Sequence, residues 1–458
     1  MPALGTIFVE NREYHKSVPL PFPAKSIYSF FSVQRNHLSR YRHSLNSVFA
    51  LASGNFLSAL LGALGGLLVA RYLGPDETGL FRVFTIPMMY LTFLHLGTFD
   101  GLHRQIPFYI GRDRVDEVER VAAASGAWNM LVACLVSAGF LACAAHGFIR
   151  HDTPACFGWL TQAIVCWGVF YTGYLGATYR TVSHFVAVAK IQVIQTVTAF
   201  LLVFTLPILD FYGLCLRAAL PSLLAVYLYH RSRPLRMSLK LDLTALKGVV
   251  AMGLPFCFWG TLETSLWMAL ENTLLLKMAG VKELGLFSVV VVLREGLAVV
   301  TRAVHQVLAP RIVEQYARDE SLRRVTRKSV RFSALLVVAM LVCVPLLSLG
   351  LDFFVPVAIP KYLDGIGAMK ASLWVVVVEA ASLPLNALYA TGRAWLYGRG
   401  VLVGLVAFVA GALLLASPVG GLLAVVLGSL AGRIARVAVC YLELFLLVRR
   451  EVHGRCVQ

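Results

Sequence analysis

The sequence predicts an all-α polytopic membrane protein of about 12 transmembrane helices, arranged as two parallel six-helix repeats. Three observations predict it. The hydrophobic fraction is 58% and the charged fraction 14%, where a soluble domain carries roughly 25% charged residues. Stretches of about 20 apolar residues, long enough to cross about 30 Å of hydrocarbon, recur along the chain. The segment YLGPDETGLF at 72–81 returns as MAGVKELGLF at 278–287. Gly74, Glu77, Gly79, Leu80 and Phe81 are answered by Gly280, Glu283, Gly285, Leu286 and Phe287, at an offset of 206 each time.

Long apolar runs satisfy their own backbone hydrogen bonds in lipid as helices, and the alternating pattern of a membrane barrel is absent. The expected spans are 45–70, 84–110, 121–148, 158–180, 187–208, 213–230, 247–276, 284–310, 332–355, 366–391, 400–416 and 421–448. The last two are separated only by Ser417-Pro418-Val419-Gly420. Placing the N-terminus in the cytoplasm puts 28 of the 41 Lys and Arg in inside segments. Only 6 fall in outside loops: Arg71, Arg82, Arg150, Lys277, Lys282 and Lys361. That bias puts both termini in the cytoplasm and reads the +17 formal charge as topology rather than nucleic-acid binding.

The organisation follows. Residues 1–44 form a basic cytoplasmic tail, read as disordered or as sequence ahead of the true start; no apolar core there suits a signal peptide. Residues 45–230 form one six-helix lobe and 247–448 the other. The basic, amphipathic stretch 231–246 links them along the cytoplasmic surface, and 449–458 is a second cytoplasmic tail. The repeat extends beyond the matched turns: Arg112-Asp113 answers Arg318-Asp319, and YGL at 212–214 answers GGL at 420–422. Six helices per repeat is an even number, so both halves run the same way through the bilayer. They can rock about a central cavity.

Several function classes are excluded. The nine cysteines are scattered without metal-ligand spacing and read as small packing residues. No phosphate-binding G-x-x-x-x-G-K-[ST] loop is present, so no ATP hydrolysis is expected. The outside loops are too short for an enzymatic domain. No catalytic residue, metal or cofactor is expected.

ARYLGPDETGLFRVF after the first span, GLPFCFWGTLETSLWMALENTLLLKMAGVKELGLFSVVVVL at 253–293 and QVLAPRIVEQYARDE at 306–320 resemble bacterial polysaccharide and O-antigen flippases. These belong to the multidrug/oligosaccharidyl-lipid/polysaccharide exporter superfamily. The resemblance runs from about 45 to 448. It implies a V-shaped, two-lobed transporter of the bacterial inner membrane. Its cargo would be an undecaprenyl-pyrophosphate-linked oligosaccharide, a unit of O-antigen, capsule or exopolysaccharide, moved from the cytoplasmic to the periplasmic leaflet. Membrane lipids, polysaccharide polymerase and glycosyltransferases are the partners it implies. Where that family often has Asp in span 7, this chain has Glu271. An ion-coupled small-molecule exporter of the same superfamily and a membrane glycan polymerase or ligase are the rival readings.

A charge at the bilayer centre costs about 2.5–3.5 kcal/mol on insertion scales, so it should face a cavity or a partner. In span 8, Arg294, Ala298, Thr301 and His305 fall within about 60° of one another on a helix, flanked by Arg302 and Glu295. Two arginines against one acid predict a net positive stripe suited to a diphosphate, whose oxygens match guanidinium donors in pairs. Arg294, Arg302, His305 and Arg104 are therefore the expected substrate-binding residues. Glu263 and Glu271 in span 7, Glu295 in span 8 and Asp100 in span 2 are the expected sites for H⁺ or Na⁺ coupling or gating. The alternatives are a lock between span 7 acids and Arg294 or Arg302, and a self-neutralising Asp100–Arg104 pair at i, i+4. Trp259 and Trp267 suit sugar stacking or packing. Arg433 and Arg436 in span 12 fit either a helix contact or a lipid headgroup.

Overall fold

The computed structural model describes residues 37–455 apart from 183, 236–239, 320 and 391–393. Most of the expected N-terminal tail and the middle of the expected linker lie outside the described residues. The chain divides into a short unit, Met1–Phe49, and a compact one, Ala50–Gln458. The helical bundle and its cavity belong to the second.

Every regular element among the described residues is helical. Span 1 runs to Tyr72, span 2 is Pro75–Ile110, span 3 Val115–Ile149 and span 4 Thr153–Thr181. One long helical stretch, Phe185–Arg231, holds spans 5 and 6, broken where Asp210 takes φ 43 and ψ −123. Span 7 begins at Leu243, and Gly280, at φ 87 and ψ −171, divides it from span 8, which ends at Asp319. Span 9 is Leu322–Ala358, span 10 covers 366–390, span 11 is Ala394–Val419 and span 12 is Gly421–Arg455. Among the described residues, nine helical stretches are long and apolar enough to cross a membrane. The kinks at Asp210 and Gly280 divide two of these, and the short helices of 366–390 supply the remaining crossing, which gives twelve.

Helix starts follow their caps. Asp152 accepts from Ala155 N, and Asp242 from Thr244 N and Ala245 N. Span 2 starts nine residues earlier than expected because Pro75 sits in the first turn, followed by Asp76 and Glu77. This corrects the place of Arg82. It lies on the helix rather than in an outside loop, and it donates to Asn272 Oδ1 of span 7 at 2.8 Å.

The two matched turns pack against each other. A Cβ on Gly79 would lie 2.0 Å from Val281 O, and a Cβ on Gly285 would lie 1.7 Å from Pro75 O. Pro75 and Val281 are themselves 206 apart, so each turn offers its glycine to the other's backbone. The sequence suggests that these glycines serve tight turning. Both lie inside helix, and what they supply is the room for close approach; Gly280 makes the turn. The turn at Pro360–Gly365 reinforces the contact: Tyr362 OH lies 3.0 Å from Thr78 Oγ1, and Lys361 Nζ donates to Tyr72 O at 3.1 Å. Deeper in the bundle, span 2 breaks at Leu96 and Gly97, and Gly253 of span 7 packs on that break.

Among the described residues two large cores form, and each draws on both halves. Leu102, Ile106, Tyr174 and Tyr179 belong to the first, and Trp267, Phe287, Val290, Tyr362 and Phe408 to the second. Val249 of span 7 joins the first, and Ala70 and Ile86 of spans 1 and 2 join the second.

Candidate functional site: a cavity between two unlike walls

A cavity of about 640 Å³ lies between the lobes, within the 300–1,000 Å³ range of ligand sites. Its first wall comes from spans 2, 4 and 6: Phe81, Thr85, Met88, Met89, Thr92, Gln162, Val165, Val169 and Ala218. None of these side chains ionises. The facing wall comes from spans 7, 8, 10 and 12. It carries Glu263, Arg294, Glu295, Arg302, His305, Glu379, Arg433 and Arg436.

The charged wall is built around Glu271, which is fully buried directly behind it. Arg294 Nη1 lies 3.3 Å from Glu271 Oε1, and Arg433 Nη2 lies 3.7 Å from the same oxygen. Ser429 Oγ also donates to Glu271, and Trp267 Nε1 donates to Ser429 Oγ at 3.0 Å. Arg433 reaches on to Glu379 at 3.5 Å and sits over the Trp267 ring, 5.0 Å from its centre. A buried carboxylate stays charged only when donors surround it, and spans 8 and 12 supply them here.

Two further clusters extend the wall. Glu263 accepts from Arg436 and from Tyr397 OH, and Arg436 Nη1 also lies 3.2 Å from Tyr397 OH. Arg302 pairs with Glu295, whose carboxylate lies 3.7 Å from Arg294 Nε. Residues Leu262–Leu266 form a π turn. Such a turn holds an extra residue, and in active helices it re-aims side chains. Here it lets Glu263 meet spans 11 and 12 while Glu271 meets spans 8 and 12.

Of the expected substrate-binding residues, Arg294, Arg302 and His305 line the cavity. Of the expected coupling residues, Glu263 and Glu295 line it and Glu271 stands behind. Asp100 and Arg104 are not brought to it. Arg104 lies over the Phe256 ring, 3.2 Å from its centre, on the span 2–span 7 seam. The expected net positive stripe takes a different form, because each cavity arginine has a carboxylate partner. The sequence left Arg433 and Arg436 between a helix contact and a lipid headgroup, and Tyr397 and Ser429 gave no signal in it. The structure uses all four in the network. Trp267 is a buried packing and hydrogen-bonding residue, stacked on Phe408.

The pairing leaves donors unspent. Nε of Arg294, Arg433 and Arg436 and Nε2 of His305 are buried with no hydrogen-bond partner among the described residues. A buried polar nitrogen without a partner costs about 1–3 kcal/mol.

Residues 175–351 match the family model described as a polysaccharide biosynthesis protein. No curated protein matches the chain. Solved structures do. An outward-facing multidrug resistance MATE family transporter of the MOP superfamily is similar at TM-score 0.64 and 15% identity, over 88% of this chain and 96% of that one. A MATE protein in complex with Br-NRF is similar at 0.61 and 14%, over 89% and 96%. A MOP superfamily transporter from Pyrococcus furiosus, described by the reverse polarity of its binding pocket, is similar at 0.57 and 13%, over 88% and 95%. The chain therefore has the two-lobed, multi-pass helical fold of these membrane transporters.

Proposed function

We propose that this chain is an alternating-access flippase. It carries a lipid-linked oligosaccharide diphosphate from the cytoplasmic to the periplasmic leaflet of a bacterial inner membrane. The observation that carries the reading is the convergence of Arg294, Arg302, Arg433 and Arg436 on one cavity wall, three of them with a buried Nε that makes no hydrogen bond among the described residues. A diphosphate offers several charged acceptors to such donors. The match of residues 175–351 to a polysaccharide biosynthesis family supports it.

The ion pairs set how the cargo enters. The Arg302–Glu295 pair is partly exposed, so exchange of Glu295 for a phosphate oxygen is cheap there. Glu271 is enclosed, so it holds Arg294 and Arg433 in place. The polyprenyl tail stays in lipid. Transport then requires the Gly79–Gly285 contact at the outer end to part. A proton or Na⁺ taken up at Glu263 or Glu271 releases an arginine and so couples ion binding to that motion.

The test is genetic and chemical together. Deleting the gene should build up lipid-linked repeat units facing the cytoplasm. Restoring it with Arg294→Ala should leave that build-up and the loss of surface polysaccharide uncorrected, with the protein still in the membrane. Normal polysaccharide from the variant, or loss of the repeat units themselves on deletion, overturns the reading.

One observation favours a second reading. Met88, Met89 and Met268 give the cavity a soft, adaptable lining of the kind promiscuous sites use, and multidrug transporters share the fold. An ion-coupled exporter of small molecules predicts drug sensitivity on deletion with polysaccharide unchanged.

A further inference from the structure

We propose that Gln162 reads the uncharged part of the cargo, the sugar next to the diphosphate, and so decides which glycan the cavity accepts. The inference rests on the flippase reading and adds to it the residue that discriminates.

Gln162 sits in span 4 on the uncharged wall and is 2% exposed. Its amide makes no hydrogen bond among the described residues. The other polar side chains of that wall are already spent on their own helix. Thr85 Oγ1 donates to Arg82 O at 2.7 Å, and Thr92 Oγ1 donates to Met88 O at 3.0 Å. The rest of the wall is Phe, Met, Val and Ala. Gln162 therefore holds the one amide there, with two donors and an acceptor unused.

What sets Gln162 apart is an unpartnered amide on the cavity lining. Asn129 and Asn272, buried amides elsewhere in the bundle, donate to Ser125 O and Met268 O of their own helices at 2.8 and 2.7 Å. Gln162 does neither and opens onto a ligand-sized space. It also does not titrate, which rules out a role in carrying a proton. It is a poor match for a diphosphate when four arginines face it across the same cavity. A neutral group that both donates and accepts suits hydroxyl and acetamido groups, and a site built to pair with such groups rejects a ligand that lacks them.

The test uses the full chain in lipid nanodiscs. The probes are undecaprenyl pyrophosphate and the same lipid capped with glucose, galactose or N-acetylglucosamine. The wild type should bind at least one capped lipid about tenfold more tightly than the bare one, the size of one buried hydrogen bond. Gln162→Leu should lose that preference, while affinity for the bare lipid moves far less. Gln162→Glu keeps the shape and the acceptor but loses the donors, and should lose the preference too if Gln162→Leu does not fold. A wild type that does not distinguish the four lipids overturns the inference. So does a Gln162→Leu variant that keeps the preference; in either case the flippase reading stands. A wild type that binds none of the lipids overturns the flippase reading itself.

Discussion

Spans 2, 4 and 6 line one wall of the cavity, their counterparts 8, 10 and 12 line the other together with span 7, and the two walls carry unlike chemistry. At the offset of 206, Met88 and Met89 stand where the second repeat has Arg294 and Glu295, and all four line the cavity. Leu57 and Gly65 stand where it has Glu263 and Glu271. The matched turns, by contrast, kept their likeness: Gly79 and Gly285 each receive the other turn's backbone. Closure of the bundle is thus shared between repeats, whereas the charged site belongs to one. Substitutions should divide the same way, with unequal effects on the walls and equal ones at the turns.

The largest effect is expected at Arg294. Removing it leaves Glu271 fully buried with Ser429 and the more distant Arg433. Breaking a buried ion pair from one side costs about 3–5 kcal/mol, so Arg294→Ala should lower the melting temperature as well as stop transport. Arg294→Lys keeps the charge but not the planar fork. It should regain part of the stability and little of the transport. Met88→Ala, at the equivalent place on the other wall, should leave lipid-diphosphate binding close to wild type. Comparable losses at both positions would break the contrast between the walls.

The matched turns come next. Gly79→Leu and Gly285→Leu each force a side chain into the facing backbone, and overpacking of this kind costs about 1–3 kcal/mol. Both should favour the arrangement with the turns apart. Thiol labelling of Pro75→Cys or Val281→Cys would report it as increased access. Opening by one substitution and not the other would show that the turns are not equivalent.

Much of the fold was legible because hydrophobic length and basic-residue bias are local signals. They placed twelve spans, and the matched turns counted the halves. The start of span 2 was readable as well, from Pro75 with Asp76 and Glu77 behind it, but the apolar window passed over it and left Arg82 in a loop. The site was less legible. The spacing on span 8 marked Arg294, Arg302 and His305 as one stripe, and these three do line the cavity. Arg302 pairs within span 8, with Glu295, but the buried partner of Arg294, Glu271, lies on another helix. Nothing in one sequence pairs Glu271 with Ser429 and Arg433, 158 and 162 residues away, or Glu263 with Tyr397 and Arg436. The π turn at Leu262–Leu266 also has no sequence signature, and it separates the surroundings of the two acids. Asp100 and Arg104 were expected at the site as well. The break at Leu96–Gly97 and its packing against span 7 put them on the seam instead.

Arg302 should separate binding from stability. Its pair with Glu295 is about half exposed, and exposed pairs contribute about 0–1 kcal/mol. Arg302→Ala should therefore melt close to wild type while losing affinity for undecaprenyl pyrophosphate. A large drop in melting temperature without loss of affinity would make Arg302 a structural residue and shrink the proposed diphosphate site to Arg294, Arg433 and Arg436.

The smallest effect is expected where an ion pair joins the two halves outside the cavity. Asp242, at the head of span 7, accepts from Arg120 Nε of span 3 at 2.6 Å. That hydrogen bond, with the Ala245 and Thr244 amides, lowers its carboxyl from 3.8 to about 2. A lowered folded-state value means the contribution is complete above the unfolded value and is lost as pH falls toward about 2. Asp242→Asn can still cap the helix, so it removes the charge pairing alone. Its melting temperature should sit slightly below wild type at neutral pH, and the gap should close between about pH 5 and pH 2. Salt should shrink the same gap, because the pair is open to solvent, whereas the enclosed Glu271–Arg294 pair should respond little. A gap indifferent to both pH and salt would mean that the Asp242 side chain acts through shape rather than charge. The contrast between a pair in water and a pair sealed within the wall would then lose its exposed member.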